Sequence, residues 1–180
     1  MNVNDILNKA LKLLGITDVT VAQGNTDPRL LTLVNALGVT YMQLVTEYAP
    51  IEKEAVVTVV NGTYALSALG ETVFDVVRLK NDSGEEVRCR LRGNTLYAEE
   101  DGRLRLTYYA IPSSYPAIGG SVTVREQITA DLLARGVAAE YAMESMMYEE
   151  ALLHDRKYKE GLRNVLSPHR SVRVDCKRWI

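Results

Sequence analysis

Residues Arg125–Leu166, REQITADLLARGVAAEYAMESMMYEEALLHDRKYKEGLRNVL, decide the fold. The stretch holds no proline, and its only glycines are Gly136 and Gly161. Ile128, Leu132, Gly136, Ala139, Met143 and Met146 recur at helical spacing and form one stripe. Gly136 and Ala139 leave that stripe without bulk, so a second helix can approach it closely. Beyond Met147 the phase changes: Tyr148, Ala151, Tyr158, Leu162 and Val165 form a stripe rotated by about 100°. One straight helix cannot keep both stripes on the same core. The spacing therefore predicts two helices, broken near Ser145–Tyr148 and packed as an antiparallel hairpin.

Working outward towards the N-terminus, residues 4–14 read as a short amphipathic helix. Asn4 is its cap, Ile6, Leu7, Ala10, Leu11 and Leu14 its apolar stripe, and Gly15 its stop. Asp27 before Pro28 is a strong helix start, and the second helix is expected from Pro28 to about Tyr48, ended by Pro50. From Ile51 the period becomes alternating. Strands are expected at 54–60, 72–80, 86–92, 95–98 and 103–111, with turns at Asn61–Gly62, Asn81–Gly84, Gly93–Asn94 and Asp101–Gly102. Residues 112–120 are a Pro- and Gly-rich connector, and Val122–Val124 is a candidate last strand.

The order helices, strands, helices implies an α+β chain. Two N-terminal helices and the C-terminal hairpin (1–50 and 125–166) form a helical bundle. Residues 51–124 are an inserted antiparallel β meander or sandwich, and 167–180 an extended arm. At 180 residues, with 47% hydrophobic and 24% charged, the composition is that of a globular protein with a sizeable core. Ten tyrosines against one Phe and one Trp suit either a large semi-exposed interface or a core edge where Tyr replaces Phe. No signal-peptide pattern and no run of membrane-spanning length is read, so synthesis in the cytoplasm is expected. Cys89 and Cys176 stand far apart in no metal or redox motif.

Net charge is −2 but unevenly placed. Residues 126–166 carry five basic and eight acidic groups, net −3, while 167–180 carry four basic and one acidic, net +3. The terminal Arg170, Arg173, Lys177 and Arg178, with Trp179 and Ile180, suit an arm that docks on an acidic partner through a buried Trp. Folding back on its own bundle is the alternative.

Arg88, Arg90 and Arg92 alternate along one expected strand and share a face, as Arg103 and Arg105 do on another. Five arginines on one sheet face beside Tyr97 and Tyr108 suit single-stranded nucleic acid. The interleaved Glu85, Glu86, Glu99 and Glu100 favour a solvated face of ion pairs instead. His154, with Glu150 and Asp155, has the spacing of a weak two-ligand site but no third ligand, and reads as a surface histidine. Met143, Met146 and Met147 read as gap-filling core rather than a contact patch. Ser113 and Ser114 have no base at a recognisable spacing. No catalytic, cofactor or metal constellation is expected.

The chain resembles the head-to-tail adaptor (connector) proteins of tailed bacteriophages. The first helix of the hairpin, Asp131–Leu132–Leu133–Ala134–Arg135–Gly136–Val137–Ala138–Ala139–Glu140–Tyr141, is similar to that family's first helix. Glu149–Glu150–Ala151 and Asp155–Arg156–Lys157–Tyr158 are similar to its second. Short N-terminal helices and a β-rich middle resemble the larger adaptors, including upper tail-tube ring proteins of short-tailed phages. The resemblance implies a structural virion protein and no enzyme. Twelve copies would ring the channel beneath the portal protein, meet a tail or tail-tube protein, and pass DNA without sequence-specific binding. A small nucleic-acid-binding module using the arginine face is the alternative.

Overall fold

The computed structural model describes residues 1–112 and 114–167. Four helices and two three-stranded antiparallel sheets make it an α+β protein. Helix α1 (Val3–Leu13) is capped by Asn2, whose Oδ1 accepts from the Asn4 N–H at 2.8 Å. Asn4, the expected cap, instead accepts from the Gly119 N–H at 2.8 Å, which ties α1 to the later connector. Gly15, at φ +69°, turns the chain out of the helix. Helix α2 (Pro28–Gln43) starts where Asp27 accepts from the Arg29 N–H at 2.9 Å. It runs on through one π-helical turn, Leu44–Tyr48, closed by Ala49 N–H donating to the Leu44 carbonyl at 2.7 Å.

The strands are β1 (Ile51–Val59), β2 (Thr63–Ala65), β3 (Thr72–Lys80), β4 (Cys89–Arg92), β5 (Thr95–Ala98) and β6 (Gly102–Ile111). The larger sheet has the order β1-β6-β3 and the smaller β2-β5-β4. Val57, Val59, Leu79, Leu104 and Leu106 of the first and Leu96 of the second meet in one apolar core. Two register shifts in β3, between Val73 and Asp75 and between Val76 and Arg78, bend that edge.

Val122–Val124 forms no strand. Its backbone pairs with the N-terminus: Val122 N–H donates to the Met1 carbonyl and the Met1 ammonium to the Val122 carbonyl, both at 2.8 Å. Ile118, Val122 and Val124 lie against the helical core. That core is separate from the β core and gathers α1, α2 and the hairpin.

The hairpin consists of α3 (Ala130–Glu144) and α4 (Tyr148–Leu166). Thr129 caps α3, its Oγ1 accepting from Leu132 N–H at 3.3 Å. Helix α3 buries residues around most of its circumference, from Leu132 and Leu133 to Tyr141 and Ala142, because α1, α2 and α4 all pack on it. It is the central post of the bundle. The link between the helices is a Schellman turn: Met147 N–H donates to Ala142 at 2.8 Å and Met146 N–H to Met143 at 3.1 Å. Met146 occupies the left-handed position, φ +61°, that glycine usually takes.

Candidate functional site

Gly136 lies where three helices converge. A Cβ there would stand 2.6 Å from Thr40 Cγ2 of α2 and 3.0 Å from Tyr158 Cζ of α4. Ala139, one turn on, is also buried. Thr40 and Tyr158 therefore pack directly on the α3 backbone, which sets the spacing of the wedge.

The stripe that runs through Gly136 does not continue to its expected end. Met143 is 47% and Met146 76% exposed, so these methionines are not core filling. Met143 stands in the last turn of α3 and Met146 in the link, and with Tyr148 and Leu152 they leave exposed apolar side chains at the hairpin's tip. Glu140 lies just below, its carboxyl raised above the ordinary range by burial and then by Glu144 and Asp155.

His154 corrects its surface assignment. It is 8% exposed, inside the stripe Ala151–His154–Tyr158–Leu162 that α4 buries. Its spacing of three and four residues from Ala151 and Tyr158 was the available signal. Neither His154 Nδ1 nor the Tyr158 hydroxyl has a hydrogen-bond partner among the described residues. Burial holds the imidazole below its usual pKa, and nearby Arg135 and Lys157 add to that.

The arginines divide between the sheets. Arg90 and Arg92 are on β4 and Arg88 just precedes it, whereas Arg103 and Arg105 belong to β6 in the other sheet. The five do not share a face, because β4 pairs with β5 and not with β6. Tyr108 is buried in the β core, not beside them. Arg88, Arg90, Arg92, Tyr97 and Glu99 line an open groove of about 660 Å³. Arg103 and Arg105, with Lys80, Val56 and Asp82, line another of about 260 Å³. The expected pairs with Glu85, Glu86, Glu99 and Glu100 do not form. Among the described residues none of the five arginines makes an ion pair.

A third groove, about 360 Å³, lies where the β unit joins the bundle. Lys53, Glu71 and Ala110 line it from one side, and Tyr41 and Val122 from the other. Lys53 Nζ donates to Glu71 Oε1 at 2.6 Å, and Tyr41 OH to the Thr123 carbonyl at 2.9 Å, so its polar groups are largely engaged.

Among the described residues no three His, Cys, Asp or Glu side chains cluster as metal ligands, and no helix is long and apolar enough to cross a membrane. Burial pushes the Cys89 thiol up, away from reactive thiolate. Arg170, Arg173, Lys177, Arg178, Trp179 and Ile180, together with His169, Cys176 and Ser113, lie outside the described residues. In comparison with known proteins, no family model and no curated protein matches the chain.

Proposed function

We propose that this chain is a structural head-to-tail adaptor of a tailed-phage virion. Copies form a ring beneath the portal protein, which extends the DNA channel and presents a surface to the tail. The observation that carries this reading is the arrangement of two independent cores in one chain. A four-helix wedge is centred on α3, buried around most of its circumference, and a separate β core is available to reach a neighbour. A ring needs a stiff subunit with two different sticky faces, because a head-to-tail interface joins unlike surfaces. Exposed apolar side chains occur at well-separated places in the sequence. Met143, Met146, Tyr148 and Leu152 are at the hairpin, Leu31 and Val39 on α2, and Phe74 and Val77 on β3. Such residues are the natural material of subunit contacts.

In this reading residues 168–180 are the arm that docks on the portal. Arg170, Arg173, Lys177 and Arg178 steer it towards an acidic surface, and Trp179 with Ile180 supplies most of the holding energy. The test is co-purification with the portal protein encoded nearby, using the full chain and a chain ending at Ser167. The full chain is expected to hold the portal and the shortened one to release it while keeping its melting temperature. Equal retention of both would remove the arm from the account. Failure of the full chain to bind any portal would remove the adaptor reading itself.

A further inference from the structure

We infer that the groove on the outer face of the small sheet binds single-stranded nucleic acid, with Arg88, Arg90 and Arg92 on its phosphates and Tyr97 stacked on a base. This inference stands apart from ring assembly and holds whether or not copies associate.

Alternate residues of a strand stand about 6.6–6.8 Å apart on one face, which sets Arg90 and Arg92 side by side. Arg88, just before the strand, continues the row, its carbonyl accepting from the Glu99 N–H at 3.1 Å. Arg90 is directly across from Tyr97, and Arg92 from Thr95, in the antiparallel register of β4 and β5. Tyr97 is 43% exposed, which leaves a ring face open beside the row. Of the side chains of opposite parity, Leu96 is fully buried and Leu91 packs against the β core, while Cys89 is exposed at the groove. Arg90 and Arg92 are thus anchored on a packed strand. Among the described residues, Glu99, at the Arg88 end, is the only carboxylate lining the groove.

What sets the row apart is its arrangement: three arginines that make no ion pair among the described residues line one groove with an exposed tyrosine. Lys9, Arg29, Lys53, Arg78 and Lys159 all hold a carboxylate. Most other described cations are left unpaired too, but at the groove three arginines stand together beside an aromatic ring. Guanidiniums suit phosphate oxygens bidentately. A cationic groove with a stacking platform is the chemistry by which single strands are held without sequence preference.

The test uses the full chain and a short fluorescein-labelled oligothymidylate, with a duplex of equal length as comparison, read by fluorescence anisotropy. Contact with about three phosphates gives a slope of log affinity against log salt near −2, or roughly twentyfold weaker binding from 50 to 200 mM salt. Replacing Arg88, Arg90 and Arg92 together with Ala is expected to abolish that slope. Arg103→Ala with Arg105→Ala is expected to preserve it. Tyr97→Ala should weaken single-strand binding about tenfold, while Tyr97→Phe keeps it. Absence of binding at low salt, equal loss in both arginine variants, or duplex bound as well as single strand would each overturn the assignment. Loss of self-association instead of oligonucleotide binding in the triple variant would also overturn it, and would assign the groove to an acidic protein surface.

Discussion

The bundle and the β unit both pair a minority of their described cations, but they arrange them differently. In the bundle, charges are used to close the structure. Lys9 of α1 reaches Asp131 of α3 at 2.9 Å, and Arg29 grips both Asp18 and Asp27 at 2.9 Å. Those contacts hold the Asp131, Asp18 and Asp27 carboxyls below the ordinary range, chiefly through the hydrogen bonds that Lys9 and Arg29 donate. In the β unit, Lys53 and Arg78 are paired, but the arginines around β4 and on β6 face solvent. Exposed ion pairs contribute little to stability, so neither pattern is explained by folding energy alone. The difference lies in arrangement: the Lys12, Arg135, Arg156, Lys157 and Arg163 side chains, in no ion pair among the described residues, are spread over three helices, whereas Arg88, Arg90 and Arg92 line one groove with Tyr97.

The two cores share no buried residue, and this independence can be broken. The largest effect is expected from Leu106→Ala. Leu106 is fully buried on the central strand β6, and its truncation should destabilise the β unit by about 2–5 kcal/mol. In calorimetry the β transition should fall while the helical circular dichroism signal melts where it did before. A single transition shifting as a whole would show that the cores are coupled.

Next comes Gly136→Leu in the bundle. The new side chain meets Thr40 and Tyr158 from its first carbon, and overpacking of about 1–3 kcal/mol is expected. The melting temperature of the helical signal reports it directly. Gly93→Ala in the β unit is the matched control. No atom lies near its Cβ position, so only the left-handed backbone at φ +55° resists, worth about 1 kcal/mol.

The buried His154 predicts a pH dependence confined to the bundle. Burial lowers its folded pKa below the unfolded value of about 6.5, so the unfolded chain binds the proton more readily. Its contribution is full above pH 7 and is lost as pH falls through about 6.5 towards the folded pKa. Urea melts of the helical signal from pH 7.5 to 5.5 should show declining stability in the wild type. His154→Leu should flatten that decline, and an unchanged slope would place the sensitivity elsewhere.

Much of this architecture was legible from local chemistry. Asp27–Pro28 starts α2, Gly15 stops α1, and the phase change after Met147 separates α3 from α4, because each depends on neighbours within one turn. Alternation likewise located β3 and β5 at their observed limits. What local pattern does not contain is which strands pair. Arg88–Arg92 and Arg103–Arg105 both alternate, but a pairing of β4 with β5, and of β6 with β1 and β3, puts them in different sheets. The same limit explains Val122–Val124, whose hydrogen-bond partner is the N-terminus, more than a hundred residues away. His154 reads as a surface residue from its type alone, whereas its place in the α4 stripe buries it. Met146 lies past the end of α3, where its stripe no longer applies, and Met143 stands half exposed in that helix's last turn.

The smallest expected effect is at that turn. Met146 holds a left-handed conformation and is largely exposed, so Met146→Gly relieves strain with little lost packing. A gain of about 1 kcal/mol in the isolated chain is expected from chemical denaturation. If the same variant weakens association between copies, Met146 is an interface residue held in place at some cost to the monomer.

The adaptor reading is tested most directly by native mass spectrometry of the full chain, alone and mixed with the portal protein encoded nearby. The account predicts a closed ring, twelve copies by the family resemblance, either free or formed on the portal. A chain that remains monomeric in both samples, at concentrations where the portal itself is assembled, would contradict it.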